Sequence, residues 1–108
     1  MFRFSAVFVS LLALAAATPS ASAASFSCYG NVTDTEQAIC DNPQLSRLDS
    51  QMAAAYFRQL RVIPVMWRPS YRASQIQWLD YRNSCGANVG CLANAYTTQF
   101  DDLRHFIP

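Results

Sequence analysis

The chain has 108 residues and a nearly balanced charge, with eight basic and seven acidic side chains, and every basic one is arginine. This length allows one small domain. A balanced charge without a basic run argues against nucleic acid as the partner, because clustered cations drive phosphate binding.

Residues 1–23 have the features of a secretory signal peptide. A positive charge near the start precedes an apolar run over residues 6–17, and Ala21-Ser22-Ala23 fits the small-residue cleavage pattern. We therefore expect the mature chain to begin at Ala24 or within a residue or two of it, and residues 24–108 to form the domain. An uncleaved anchor helix is the alternative, but the run is shorter than the ~20 residues that a bilayer requires. These features predict a periplasmic or secreted protein without a stable membrane anchor.

The mature part shows helical periodicity throughout and no strand alternation, which predicts an all-α fold: a small disulfide-stapled bundle of about four helices, one short and three longer. Thr33-Asp34-Thr35-Glu36 is a capping box that begins a short helix ending near Cys40. Asp41-Asn42-Pro43 interrupts it, and the proline suits the first turn of a second helix that runs to about Val62. The apolar stripe of this second helix comprises Leu45, Leu48, Met52, Tyr56, Leu60 and Ile63.

A loop is predicted after the second helix, because Pro64 and Pro69 forbid a regular helix across the residues between them. A third helix is predicted over about residues 70–84, with Gly86 as a left-handed cap after it. Its broad buried face comprises Tyr71, Gln75, Trp78, Leu79 and Arg82. A fourth helix begins near Asn88, and its buried stripe comprises Leu92, Ala95, Tyr96, Phe100, Leu103 and Phe106 or Ile107.

Four cysteines follow the leader, and an even number of thiols in a short exported domain indicates disulfides. Four cysteines allow three pairings, between which the sequence alone does not choose. We expect Cys28 to pair with Cys40 and Cys85 with Cys91, because these local pairs need no special topology. Zinc is the alternative, but structural zinc ligands usually lie two to four residues apart, whereas eleven residues separate Cys28 from Cys40.

The sequence contains no pattern that indicates catalysis, and we predict no catalytic residue, no metal and no cofactor. His105 is the sole histidine, so a thiol nucleophile would lack a nearby base. Asp101 and Asp102 are the closest pair of acids, but neighbours on a helix diverge by about 100° and do not face one site. An enzyme is therefore the least favoured class.

Asp49 and Arg82 each lie beside the apolar stripe of a long helix. We expect the two side chains to meet across the helix interface as a partly buried ion pair that orients the helices. A contact with a binding partner is the alternative role. Loss of thermal stability in an Arg82→Ala variant would favour the structural role, and weakened partner binding at an unchanged melting temperature would favour the alternative.

The proline-bracketed loop and the start of the third helix supply the candidates for partner binding. These residues are Trp67, Arg68, Tyr71 and Arg72. Exposed aromatic and arginine side chains on a loop are the usual components of a binding hot spot. The alternative for Trp67 is that it folds back over the core.

The four cysteines belong to a longer pattern. It reads Cys28, Thr33-x-x-Glu36-x-Ala38-Ile39-Cys40, Pro43-x-Leu45-x-x-Leu48-Asp49 with Tyr56, Gln75-x-x-Trp78-Leu79-x-x-Arg82-x-x-Cys85, and Cys91-Leu92 with Tyr96 and Leu103. This combination, which spans nearly the whole mature chain, resembles the N-terminal domain family named for the lysozyme inhibitor LprI. The resemblance implies a compact, disulfide-linked helical domain in the cell envelope without known catalytic residues, and lysozyme inhibition for the founding member.

The expected function is that of an exported binding protein with a protein partner, and its specific form is a lysozyme inhibitor that occludes the muramidase cleft. The alternative is an envelope structural or stress-related protein, or an immunity-like protein, without lysozyme affinity. Lysozyme is cationic, so an acidic concave patch near the loop would favour the inhibitor. The seven arginines and seven acids of residues 24–108 balance to zero, which supplies no obvious acidic face.

Overall fold

A computed structural model describes residues 24–106 of the chain. The predicted signal peptide and Ile107 lie outside the described residues. The elements in order are α1 (Asp34–Asp41), α2 (Pro43–Val62), a 3₁₀ turn (Val65–Trp67), α3 (Arg68–Asn83) and α4 (Val89–Arg104). The described part of the chain contains no strand, so the predicted all-α fold with one short and three longer helices is confirmed.

Side-chain caps explain where α1 and α2 begin. The Thr33 hydroxyl accepts a hydrogen bond from the Glu36 backbone N–H, and the Thr33 N–H donates to the Glu36 carboxylate, both at 3.1 Å. The amide oxygen of Asn42 accepts from the backbone N–H groups of the first turn of α2, where Pro43 leaves no N–H unpaired. The predicted capping box and the predicted bounds of α2 are confirmed, because local chemistry decides both.

The connection between α2 and α3 is more ordered than the predicted loop. A single 3₁₀ turn follows Pro64, and α3 begins at Arg68, two residues earlier than expected. Pro69 does not prevent this start, since it lies in the first helical turn, where a missing N–H costs no hydrogen bond. After α3, Gly86 has a φ of +58°, which confirms it as the left-handed residue of the turn into α4.

The core lies where α2 packs against both α1 and α4, and α3 packs against α4 and contacts α2 through Tyr71 and Tyr56. The buried apolar residues are Ile39, Leu45, Met52, Tyr56, Ile63, Tyr71, Trp78, Leu92, Ala95, Tyr96 and Leu103. Leu48, Leu60, Leu79 and Phe100 of the predicted stripes are only partly buried and pack at the edge of the core. The helical periodicity therefore located the packed face of each helix.

Both expected disulfides are present, with Cα atoms 5.9 Å apart in Cys28–Cys40 and 5.6 Å apart in Cys85–Cys91. The first joins the N-terminal segment to α1, and the second closes the turn between α3 and α4. Because their sulfurs are bonded to each other, these cysteines are not zinc ligands. Two disulfides indicate a compartment outside the reducing cytoplasm. Within residues 24–106, no helix has both the length and the apolar character that a bilayer crossing demands.

Replacing either pair of cysteines by alanine is expected to lower the free energy of unfolding. The disulfides close loops with sequence separations of 12 and 6 residues, and the entropy removed from the unfolded chain grows with loop length. We expect a loss of about 3 kcal/mol for Cys28→Ala/Cys40→Ala and about 2 kcal/mol for Cys85→Ala/Cys91→Ala, measured by urea unfolding. Equal stability of both variants and the parent protein would contradict this account.

Candidate functional site

The carboxylate of Asp49 is the centre of a buried polar cluster. Asp49 lies on the packed face of α2 and has no exposed surface. The Tyr96 hydroxyl of α4 donates to its Oδ1 at 2.7 Å. The backbone N–H and the hydroxyl of Ser25 both donate to its Oδ2 at 2.6 Å. Nη1 of Arg82 in α3 lies 3.6 Å from Oδ1, so the expected ion pair is present and is fully buried rather than partly buried.

The Arg82 guanidinium contacts other groups besides the Asp49 carboxylate. Its Nε and Nη2 donate to the Asn83 side-chain oxygen at 3.1 and 2.9 Å. Its central carbon lies 5.7 Å from the centre of the Phe26 ring and 5.9 Å from that of Trp78, within range of cation–π attraction. The N-terminal segment thus covers the cation through Phe26 and the anion through Ser25.

A second set of buried hydrogen bonds extends from this cluster. The Gln99 side-chain amide of α4 donates to Oε1 of Gln75 in α3 at 2.6 Å, and the Gln75 amide lies 3.1 Å from the Met52 sulfur in α2. The Trp78 indole donates to the Ala95 carbonyl at 3.1 Å. Gln99 was not among the predicted buried residues of the fourth helix, although its spacing three residues after Tyr96 places it on the buried stripe.

Burial raises the pKa of Tyr56, and it changes the acidity of two further tyrosines in this core. It raises the pKa of the Tyr96 hydroxyl well above its usual value, and the negative charge of Asp49, which accepts the hydroxyl proton in a hydrogen bond, raises it further. Burial, followed by the neighbouring Tyr56, raises the pKa of Tyr71 to about 12. Both hydroxyls therefore remain protonated donors at neutral pH.

The geometry of the Asp49 cluster suits a structural role. All hydrogen bonds to the carboxylate come from within the chain, and neither Asp49 nor Arg82 exposes enough surface for contact with a partner. Among residues 24–106, no group of three or more histidine, cysteine, aspartate or glutamate side chains is arranged to hold a metal ion. The cluster joins α2, α3, α4 and the N-terminal segment.

The four candidates for partner binding have different environments, and the prediction for Tyr71 is wrong. Tyr71 is completely buried, its ring packs against Tyr56 and Phe106, and its hydroxyl donates to the Tyr56 carbonyl at 3.3 Å. It lies on the face of the first turn of α3 that meets the core. Trp67 retains 38% of its surface, Arg68 is half-buried and Arg72 is exposed.

Charge is distributed unevenly between the two ends of the helical bundle. The end of α2 and the start of α3 carry four arginines: Arg58, Arg61, Arg68 and Arg72. No acidic residue occurs between Asp49 and Asp80. The acids of α1, at the opposite end of α2, are Asp34, Glu36 and Asp41. The surface near the interhelical connection is therefore mainly basic, with Asp101 and Asp102 at the end of α4 as its acids, and the acids of α1 lie toward the start of α2.

Comparison of the chain with protein-family models, with curated proteins and with solved structures gives no match. The assignment of function therefore rests on the residues and their geometry.

Replacing Arg82 by alanine is expected to destabilise the fold by about 3 kcal/mol, because the Asp49 carboxylate would stay buried without its countercharge. Arg47→Ala, which removes an exposed arginine from the first turns of α2, is the matched control and should change little. Adding Asp49→Asn to Arg82→Ala should cost less than the sum of the two single losses, since the residues are in contact. Thermal unfolding followed by circular dichroism compares the parent, the Arg47→Ala control, the two single variants and the double variant, and additive losses would show that the pair is not coupled.

The free energy of unfolding is expected to fall as the pH rises above about 10, the usual pKa of tyrosine. Above that pH the unfolded chain releases tyrosine protons that the folded chain keeps, because the pKa values of Tyr96 and Tyr71 are raised. In the Tyr96→Phe variant the free energy of unfolding should fall less steeply with pH, and the part of the pH dependence due to Tyr71 should remain. Urea unfolding between pH 8 and pH 11 tests this, and an identical slope in parent and variant would argue against it.

Proposed function

We propose that this protein is an exported binding protein of the cell envelope with an LprI-like scaffold, and that its partner is a protein. One observation carries the proposal: residues of the sequence pattern that lie far apart in the chain come together in the fold. Asp49, Arg82 and Tyr96, which lie on three different helices, meet in one buried cluster, and the four cysteines form two local disulfides. The residues of a pattern that defines a common scaffold are expected to contact one another in the fold. These contacts therefore support the resemblance to the LprI family.

The proposed location is the periplasm or the exterior of the cell. Two disulfides support an oxidising compartment, and the leader-like residues 1–23 provide a route to it. In such a compartment the disulfides stabilise a domain whose single small core would otherwise give only marginal stability.

Exposed side chains must recognise the partner, because the residues of the sequence pattern are largely buried. For a lysozyme partner, the suitable surface is the acidic end at α1. Asp34 and Asp41 are exposed there, and Tyr29 keeps 76% of its surface in the adjacent segment. Negative charge attracts a cationic enzyme, and an exposed aromatic ring supplies contact area. The proposed mechanism is occlusion of the muramidase cleft.

A second candidate is an envelope structural or stress-related protein, or an immunity-like protein, without lysozyme affinity. The basic surface at the α2–α3 connection favours it, since the inhibitor was expected to show an acidic surface there. Arg58, Arg61 and Arg72 are exposed at this end and would repel a cationic enzyme.

The exported protein, added in molar excess, is expected to slow the clearing of a peptidoglycan suspension by lysozyme. Asp34→Asn/Asp41→Asn should weaken this inhibition about fivefold, which corresponds to two rim charges of roughly 0.5 kcal/mol each. Asp101→Asn/Asp102→Asn, at the far end of α4, is the matched control and should inhibit like the parent. Undiminished clearing at a clear excess would reject inhibition of that lysozyme type and leave the second candidate.

A further inference from the structure

Three of the most exposed large apolar side chains lie close together at the α2–α3 connection. Val62 and Val65 each retain 71% of their surface and Met66 retains 80%, with Trp67 beside them at 38%. Single exposed apolar residues are ordinary, whereas a contiguous group indicates an interaction site. The 3₁₀ turn presents the group in a defined shape, since the Trp67 N–H donates to the carbonyl of Pro64 at 3.0 Å.

Arginines surround this apolar group. Arg58 and Arg61 lie in the last turns of α2, and Arg68 and Arg72 lie in the first turns of α3. The Arg68 guanidinium lies 3.5 Å from the Arg61 carbonyl, so it also neutralises the C-terminal end of α2. Within the described part of the chain, the ion pairs involve only Arg82 and Arg104. Arg58, Arg61 and Arg72 are exposed and therefore available to an anionic partner, whereas Arg68 is half-buried.

The other charged groups at this end of the molecule lie on α4. Asp101 is paired with Arg104 at 3.2 Å and its carbonyl contacts the His105 ring at 2.9 Å. Asp102 lines a groove between α3 and α4, together with Ser74 and Gln77, on the side of α3 away from α2. Neither carboxylate forms an ion pair with the arginines of the connection, and the surface keeps its positive charge.

We propose that this surface, composed of Val62, Val65, Met66, Trp67 and the four arginines, binds reversibly to an anionic phospholipid bilayer. Val62 and Arg58 line the edge of a groove between α2 and α4, whereas Val65, Met66 and Trp67 line none of the three main grooves in the described part of the chain. The apolar group thus protrudes, whereas recognition of a helical peptide requires a groove. Protruding apolar side chains enter the headgroup layer, and arginines beside them bind lipid phosphates through paired N–H groups.

The test is co-sedimentation of the exported protein with phosphatidylglycerol-containing vesicles and with pure phosphatidylcholine vesicles at low salt. The protein is expected to bind the anionic vesicles, and added salt is expected to weaken that binding. Val65→Ser/Met66→Ser should weaken binding at least about tenfold, because both apolar anchors are lost. Arg61→Gln/Arg72→Gln should weaken it about fivefold for each arginine. The Trp67 fluorescence should shift to the blue on binding, and Trp67→Phe should lack that shift.

Matched controls come from the opposite end of the bundle. Val89→Ser removes a half-exposed valine at the start of α4, and Arg47→Gln removes an exposed arginine at the start of α2. Both should bind vesicles like the parent, and circular dichroism should show all variants to be folded. The proposal is overturned by any of three results: no binding of the parent protein to anionic vesicles, equal binding to neutral vesicles, or equal loss in the controls. Retention on immobilised polyglutamate without vesicle binding would also overturn it and identify an acidic protein as the partner.

Discussion

The rest of the fold depends on the burial of one carboxylate, that of Asp49. A buried charge is costly unless it is paired and hydrogen-bonded, so the loss of any donor around it lowers the stability of the fold. Those donors come from distant parts of the chain: Ser25 in the N-terminal segment, Arg82 in α3 and Tyr96 in α4. The carboxylate therefore sets how three helices and the N-terminal segment fit together, while the disulfides secure the connections at one end.

This arrangement divides the molecule into an internal scaffold and two contrasting ends. The acids of α1 lie at one end, and the arginines and exposed apolar side chains of the α2–α3 connection lie at the other. A surface that favours anionic lipid and a surface that favours a cationic protein are thus separated by the length of α2. Under the two proposals, one end binds the membrane while the other end binds the protein partner.

Much of the fold could be predicted because the decisive chemistry is local. Thr33 and Glu36 complete the capping box within one turn, and Asn42 caps α2 across three residues. Each disulfide joins cysteines that are near in sequence. Helical periodicity identified the buried faces, because residues three or four apart share a side of a helix. It therefore also predicted that Asp49 and Arg82 face one another.

The sequence by itself thus determined the all-α class and the starts of α1 and α2, and it led to the expected local disulfides and the expected contact between Asp49 and Arg82. Only the tertiary structure decided that Ser25 binds Asp49, that Gln99 meets Gln75 and that Tyr71 is buried. These features depend on how whole helices pack against one another and against the N-terminal segment, and no short window of sequence contains that information.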